Sequence, residues 1–134
     1  MVKRIEHIGI AVRDIESSNK LFAKILGTKS YKSEVVDAQG VVTSFFKIGE
    51  SKIELIASLN KESVISKYLE KNKEGMHHIA FYVDDVNAEI KRLKKEGIRV
   101  INETLSRGAD NKMICFLHPK DTNGVLIELC QEAE

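Results

Sequence analysis

The chain has 134 residues, 43% of them hydrophobic and 31% charged, with a single proline. That length holds one domain, or two small halves sharing a core, and the composition excludes a disordered chain. A formal charge of +1 argues against a broad nucleic-acid surface, and no stretch approaches the ~18 apolar residues of a membrane span.

Met1 to Arg4 leads straight into a strand without the apolar region of a secretory signal, so a cytoplasmic location is expected. Ile5 to Val12 reads as a strand. Asp14 is placed to cap a helix in which Ile15, Leu21, Phe22, Ile25 and Leu26 recur at roughly helical spacing, and Gly27 fits the position just past its end. Ser30 to Val36 is a weaker strand and Asp37-Ala38-Gln39-Gly40 a turn. Val41 to Ile48 is a strand, Gly49-Glu50 a tight turn, and Lys52 to Ala57 another strand. Residues from about 4 to 58 therefore read as a β-α-β-β-β unit. Asn60 is the expected cap of a linker helix over about 61 to 71, within a linker of about 60–73. Its apolar stripe is Val64, Ile65, Tyr68 and Leu69.

A second β-α-β-β-β unit is expected over about 75–131. His77 to Val83 is a strand. Asp84 or Asp85 caps a helix carrying Val86, Ile90 and Leu93, and Gly97 terminates it. Lys91-Arg92 and Lys94-Lys95 read as its solvated face. Ile98 to Asn102 is an expected strand, Ser106 to Asn111 a loop, Met113 to Leu117 a strand. Asp121 to Gly124 turn into a last strand from Val125 to Cys130. Cys115 and Cys130 lie in apolar runs without metal-site spacing, as buried reduced thiols do.

The two units repeat one another. His7-Ile8-Gly9-Ile10-Ala11-Val12 answers to His78-Ile79-Ala80-Phe81-Tyr82-Val83 at a shift of 71 residues, and Ile53-Glu54-Leu55 to Ile127-Glu128-Leu129 at a shift of 74. Each unit thus supplies one histidine early in its first strand and one glutamate in the middle of its last. Alternation sets Glu54 on the face opposite Ile53 and Leu55, and Glu128 opposite Ile127 and Leu129. Carboxylates buried on such strands need a cation, a hydrogen-bond partner or a proton. Two imidazoles and two carboxylates, supplied symmetrically, satisfy a divalent metal and leave room for substrate. His77 must face away from its neighbour His78 and is read as structural or supporting. His118, before Pro119 and Lys120, lies in a loop placed to flank a ligand.

These residues resemble the vicinal oxygen chelate superfamily, the glyoxalase I and extradiol dioxygenase group. Within it the chain is most similar to the methylmalonyl-CoA epimerase family. The matching segments are His7 to Val12, Gln39-Gly40-Val41, Lys52 to Leu55, Gly75 to Phe81, Phe116-Leu117-His118-Pro119-Lys120 and Gly124 to Leu129. The resemblance implies an α+β fold, in which two tandem βαβββ units form one cupped mixed sheet around a metal site. It implies metal ligation by His7, Glu54, His78 and Glu128, with Glu128 also the catalytic base. It implies a divalent ion such as Co2+, methylmalonyl-CoA as substrate, contacts from Gln39 and Lys120, and a homodimer without nucleic-acid or membrane partners. The implied reaction interconverts (2R)- and (2S)-methylmalonyl-CoA through a metal-stabilised enolate.

Two departures from the family pattern matter. A glutamate common before the Gln-Gly pair is here Ala38, and the strand that carries a second acid in some members reads Val41-Val42-Thr43-Ser44. The second base is left open among Glu54 and a water at the metal, at Gln39 or at Thr43. Competing readings are a glyoxalase I-like lyase, which would use the same ligand set, and a ligand-sequestering protein of the same fold, which generally lacks it. The segments around Gln39 and His118 to Lys120 favour the epimerase.

Overall fold

The computed structural model describes all 134 residues. The fold is α+β, as expected. Three helices accompany eight strands in one sheet of order β2-β3-β4-β1-β5-β8-β7-β6. The strands are β1 (Val2–Ala11), β2 (Lys32–Val36), β3 (Val41–Ile48), β4 (Ser51–Ser58), β5 (Gly75–Val83), β6 (Ser106–Arg107), β7 (Lys112–Phe116) and β8 (Ile127–Glu132). The helices are α1 (Ile15–Leu26), α2 (Val64–Lys71) and α3 (Val86–Lys95). The sheet is mixed, since β5 pairs parallel with β8 while β2–β3, β3–β4, β6–β7 and β7–β8 pair antiparallel. By packing, the chain divides into two compact units. One is Ile8–His77; the other joins Met1–His7 to His78–Glu134.

In the Ile8–His77 unit the sequence signals act as expected on α1. The Ser17 N–H donates to the Asp14 carboxylate at 3.2 Å, and Gly27 takes a left-handed φ of 70° past the last turn. Phe22, Ala23 and Leu26 of this helix pack on Val12, Phe46, Leu55 and Ala57. The opposite face of β4 carries Ile56, which joins Ala11, Val41 and the Ile65 and Leu69 side chains of α2. Glu54 shares the face of Ile56, and it is buried. The cap of α2 is Ser63 rather than Asn60. The Ser63 hydroxyl accepts from Ser66 N–H at 3.0 Å, and the helix starts at Val64. Asn60 instead accepts from Glu62 N–H, closing a turn ahead of the helix.

In the other unit Asp85 caps α3, accepting from Ala88 N–H at 3.1 Å. Val86, Ile90 and Leu93 bury against Val83, Cys115, Leu117 and Leu129, while Ala80, Ile114 and Cys130 form a second cluster with Tyr82 and Phe116. The strand expected over 98–102 is absent. That segment makes only a single bridge, Val100 to Leu117. Beside that bridge Ile101 N–H donates to the Phe116 carbonyl and His118 N–H to the Arg99 carbonyl, but Ile98 N–H donates to the Leu93 carbonyl at the end of α3, and Arg99 N–H donates to the Asp121 carboxylate. The outer strand is β6, two exposed residues inside the stretch read from sequence as a loop.

Candidate metal centre

Three of the expected ligands meet within the unit built from Met1–His7 and His78–Glu134. His7 stands on β1, His78 near the start of β5 and Glu128 on β8, and all three are buried. The register explains the meeting. Glu128 lies beside Ala80 on β5 and opposite Phe116 on β7, and His78 precedes Ala80 by two residues on the same face. The Nε2 atoms of His7 and His78 are 3.0 Å apart, with the rings edge to face. Glu128 Oε2 lies 3.8 Å from His7 Nε2, and its Oε1 lies 3.5 Å from His78 Nε2. The His78 ring also meets Phe116 edge-on, with centroids 5.9 Å apart.

Facing imidazole nitrogens at this spacing can share at most one proton, so at least one lone pair points into the cluster. Two imidazoles and a carboxylate, withdrawn from water, form the mixed nitrogen and oxygen set of a mid-series divalent ion. A cation there would offset the cost of burying Glu128. Glu54, the fourth expected ligand, belongs to the Ile8–His77 unit, where it is buried.

The other residues singled out in the sequence sit as follows. Gln39 is exposed, at the end of a 3-10 turn over Asp37–Gln39. Lys120 is exposed within a second such turn, Pro119–Asp121. His118 caps that turn, its Nδ1 accepting from Lys120 N–H at 3.2 Å. Asp121 is held by Arg99, whose Nε and Nη2 both donate to it at 2.9 Å, and this pairing keeps its carboxyl well below the usual range. His77 packs edge-on against Tyr68 of α2. The Thr43 hydroxyl donates to the Glu34 carbonyl at 3.3 Å. Both cysteines are buried thiols, and that of Cys130 donates to the Phe81 carbonyl at 3.6 Å; the Cys115 thiol is pushed up to about 11, first by burial and then by the charge of Glu128.

One residue beside the site is absent from the sequence reading. Glu6, 1% exposed, is the most deeply buried charged side chain. Its Oε1 lies 3.4 Å from His7 Nδ1 and its Oε2 lies 3.7 Å from the Arg4 guanidinium. The available signal was an acid immediately before a candidate ligand in a strand that the repeat marks as central.

Residues 6–116 match the model of the glyoxalase/bleomycin resistance protein/dioxygenase superfamily, to which the chain belongs. It is 42% identical to the mitochondrial methylmalonyl-CoA epimerase of Homo sapiens over 96% of this chain and 73% of that protein. It is 39% identical to the ethylmalonyl-CoA/methylmalonyl-CoA epimerase of Cereibacter sphaeroides over 98% of this chain and 99% of that protein. Among solved structures, a variant of Streptomyces coelicolor methylmalonyl-CoA epimerase in complex with 2-nitronate-propionyl-CoA superposes with a TM-score of 0.94. It shares 37% identity, with 99% of this chain and 96% of that one covered. Within the superfamily, the chain belongs to the methylmalonyl-CoA epimerases.

Proposed function

We propose that the protein interconverts (2R)- and (2S)-methylmalonyl-CoA by removing the C2 proton and returning one to the opposite face. The observation that carries this reading is the buried convergence of His7, His78 and Glu128, with separations of 3.0 to 3.8 Å. It stands in a chain that has relatives named for this reaction. His7, Glu54, His78 and Glu128 are the proposed ligands, and Co2+ the proposed ion. A divalent cation there supplies a Lewis acid that stabilises negative charge on the substrate oxygens.

Glu128 accepts the C2 proton, and the electron pair left on C2 moves into the thioester carbonyl. A carboxylate held in place next to C2 can do this because its geometry is fixed before the substrate arrives. Thr43 is already engaged with the Glu34 carbonyl, and Gln39 is exposed on its turn. Among the groups left open above, only Glu54 is a buried acid, and it is the proposed source of the returning proton. The reaction is a redistribution of protons, with no net change in atoms or electrons. Phe116, Ala80 and Cys130 line the Glu128 face of the strands and keep it apolar.

The coenzyme A portion is proposed to lie along the surface, with Lys120 contacting a phosphate and Gln39 the acyl end. No helix is long and apolar enough to cross a membrane. A cytoplasmic homodimer completes the proposal; the buried thiols of Cys115 and Cys130 support a reducing compartment, the family resemblance supports the dimer, and sedimentation tests it.

The deciding experiment is proton NMR of each pure epimer in deuterated water. With metal-loaded protein the C2 proton signal should disappear as deuterium enters, and the other epimer should appear. Removing the metal with a chelator should abolish both changes, and adding Co2+ should restore them. Loaded protein that exchanges neither epimer would overturn the assignment.

A further inference from the structure

We infer that Glu6 is a positioning residue: its buried carboxylate fixes the tautomer and ring orientation of His7, so that Nε2 is the atom presented to a metal. This rests on the metal centre proposed above. A carboxylate at 1% exposure is costly to bury, and the structure gives it charged and polar neighbours. Arg4 stands 3.7 Å from Oε2, and the Arg4 guanidinium lies over the Tyr82 ring, 4.1 Å from its centre. The Tyr82 ring holds the guanidinium, and the guanidinium pairs with Oε2. The remaining oxygen, Oε1, lies 3.4 Å from His7 Nδ1.

The consequence follows from donor counting. A carboxylate paired with a guanidinium acts as an acceptor, so the proton between Oε1 and Nδ1 belongs to the imidazole. A neutral imidazole carries one ring proton. Once that proton sits on Nδ1, Nε2 is left with a bare lone pair. Nε2 is the atom 3.0 Å from His78 Nε2 and 3.8 Å from Glu128. With the other tautomer a proton would occupy the space where the donors converge. The Glu6–His7–metal order would be a carboxylate–histidine arrangement, which both fixes the ring and raises its basicity as a ligand. A purely structural Arg4–Glu6 ion pair would predict lost stability upon substitution and an unchanged metal affinity.

The test uses the full chain titrated with Co2+ against a competing chelator, with Glu6→Leu, Glu6→Gln and His7→Ala as variants. Glu6→Leu should bind Co2+ about 10–100-fold more weakly than the unaltered protein. Glu6→Gln, which keeps an acceptor oxygen, should lose less. Nitrogen-15 NMR of the unaltered, metal-free protein should show the His7 proton on Nδ1, and Glu6→Leu should show both tautomers. The tautomer measurement needs no variant, so a misfolded Glu6→Leu leaves the inference open to refutation. Unchanged Co2+ affinity in folded Glu6→Leu and Glu6→Gln, or a His7 protonated on Nε2 in the unaltered protein, would overturn the role of Glu6. Full Co2+ affinity in His7→Ala would instead remove His7 from the centre, and the inference with it.

Discussion

The two βαβββ repeats keep the same inner ladder and differ at their outer strand. In the first, Phe45 stands directly opposite Glu54; in the second, Phe116 stands directly opposite Glu128. Outside that ladder the repeats diverge. The first has a five-residue outer strand, β2, paired along its length with β3, whereas β6 has two residues and two pairs with β7. The second repeat holds its outer edge by other means: one bridge and the Arg99–Asp121 clamp. The strand that carries the glutamate keeps its register in both copies, while the edge that carries no ligand has a different form in each. This is the pattern expected if the phenylalanine–glutamate ladder sets the chemistry and the edges only need their backbone groups satisfied.

The sharpest way to test that equivalence is to remove one charge from each copy. Glu128→Gln keeps the shape and one carbonyl oxygen but loses the basic carboxylate. General-base catalysis is worth typically about 10²–10⁴-fold, and the loss should appear in kcat rather than KM. Deuterium entry at C2 should fall in step. Metal-saturated Glu54→Gln should separate the copies: exchange from one epimer persists while inversion stops, if Glu54 returns the proton. Near-normal exchange from both epimers in loaded Glu128→Gln would leave Glu128 as a ligand only.

The phenylalanines opposite these glutamates should differ in stability. Phe45 is almost wholly buried, at 1% exposure, and Phe116 is half-buried. Phe45→Ala should cost about 3–5 kcal/mol, the range for a large-to-small core change. Phe116→Ala should cost less, about 1–2 kcal/mol, and should weaken metal binding because it frees the edge of His78. Urea unfolding of both variants checks the order, and equal losses would contradict it.

Much of this was legible in the sequence. The repeat put His7, Glu54, His78 and Glu128 in one constellation, of which His7, His78 and Glu128 converge within one unit, and Asp14, Gly27 and Asp85 signalled their helix ends. What failed did so where side chains replaced backbone partners. Ile98 to Asn102 alternates like a strand, and Ile98 and Val100 do pack on the core. Yet Asp121, distant in sequence, takes the Arg99 N–H that a neighbouring strand would have used. Ser106–Arg107 carries no apolar alternation, so its pairing gives no local signal. Asn60 and Ser63 are both sound caps, and only the packing of Ile65 and Leu69 selects where α2 begins. Glu6 was invisible because a charged residue in a strand ordinarily reads as its wet face.

The turn that Arg99 clamps also carries Lys120, and two smaller effects follow from it. Lys120→Ala should raise KM for the thioester several-fold with little change in kcat, as an exposed ammonium near a phosphate contributes only modestly. A collapse of kcat would place Lys120 in the chemistry instead. The smallest expected effect is that of the clamp itself. Its hydrogen bonds to Arg99 hold the Asp121 carboxyl below its ordinary value, so the folded protein stays ionised there at lower pH than the unfolded chain. Such a group stabilises the fold fully above the unfolded pKa of about 3.9, and the contribution is lost as pH falls toward the folded value. Arg99 is largely exposed, so solvent and salt screen the pair and the effect is small. Asp121→Asn retains an oxygen to accept the Arg99 N–H but not the charge. Its melting temperature should lie slightly below that of the unaltered protein at pH 7, and the gap should narrow from about pH 4 downward. Added salt should narrow it at pH 7 as well. A gap that stays constant from pH 7 to pH 3 would mean that geometry at the Arg99 N–H, rather than charge, secures the edge of the second repeat.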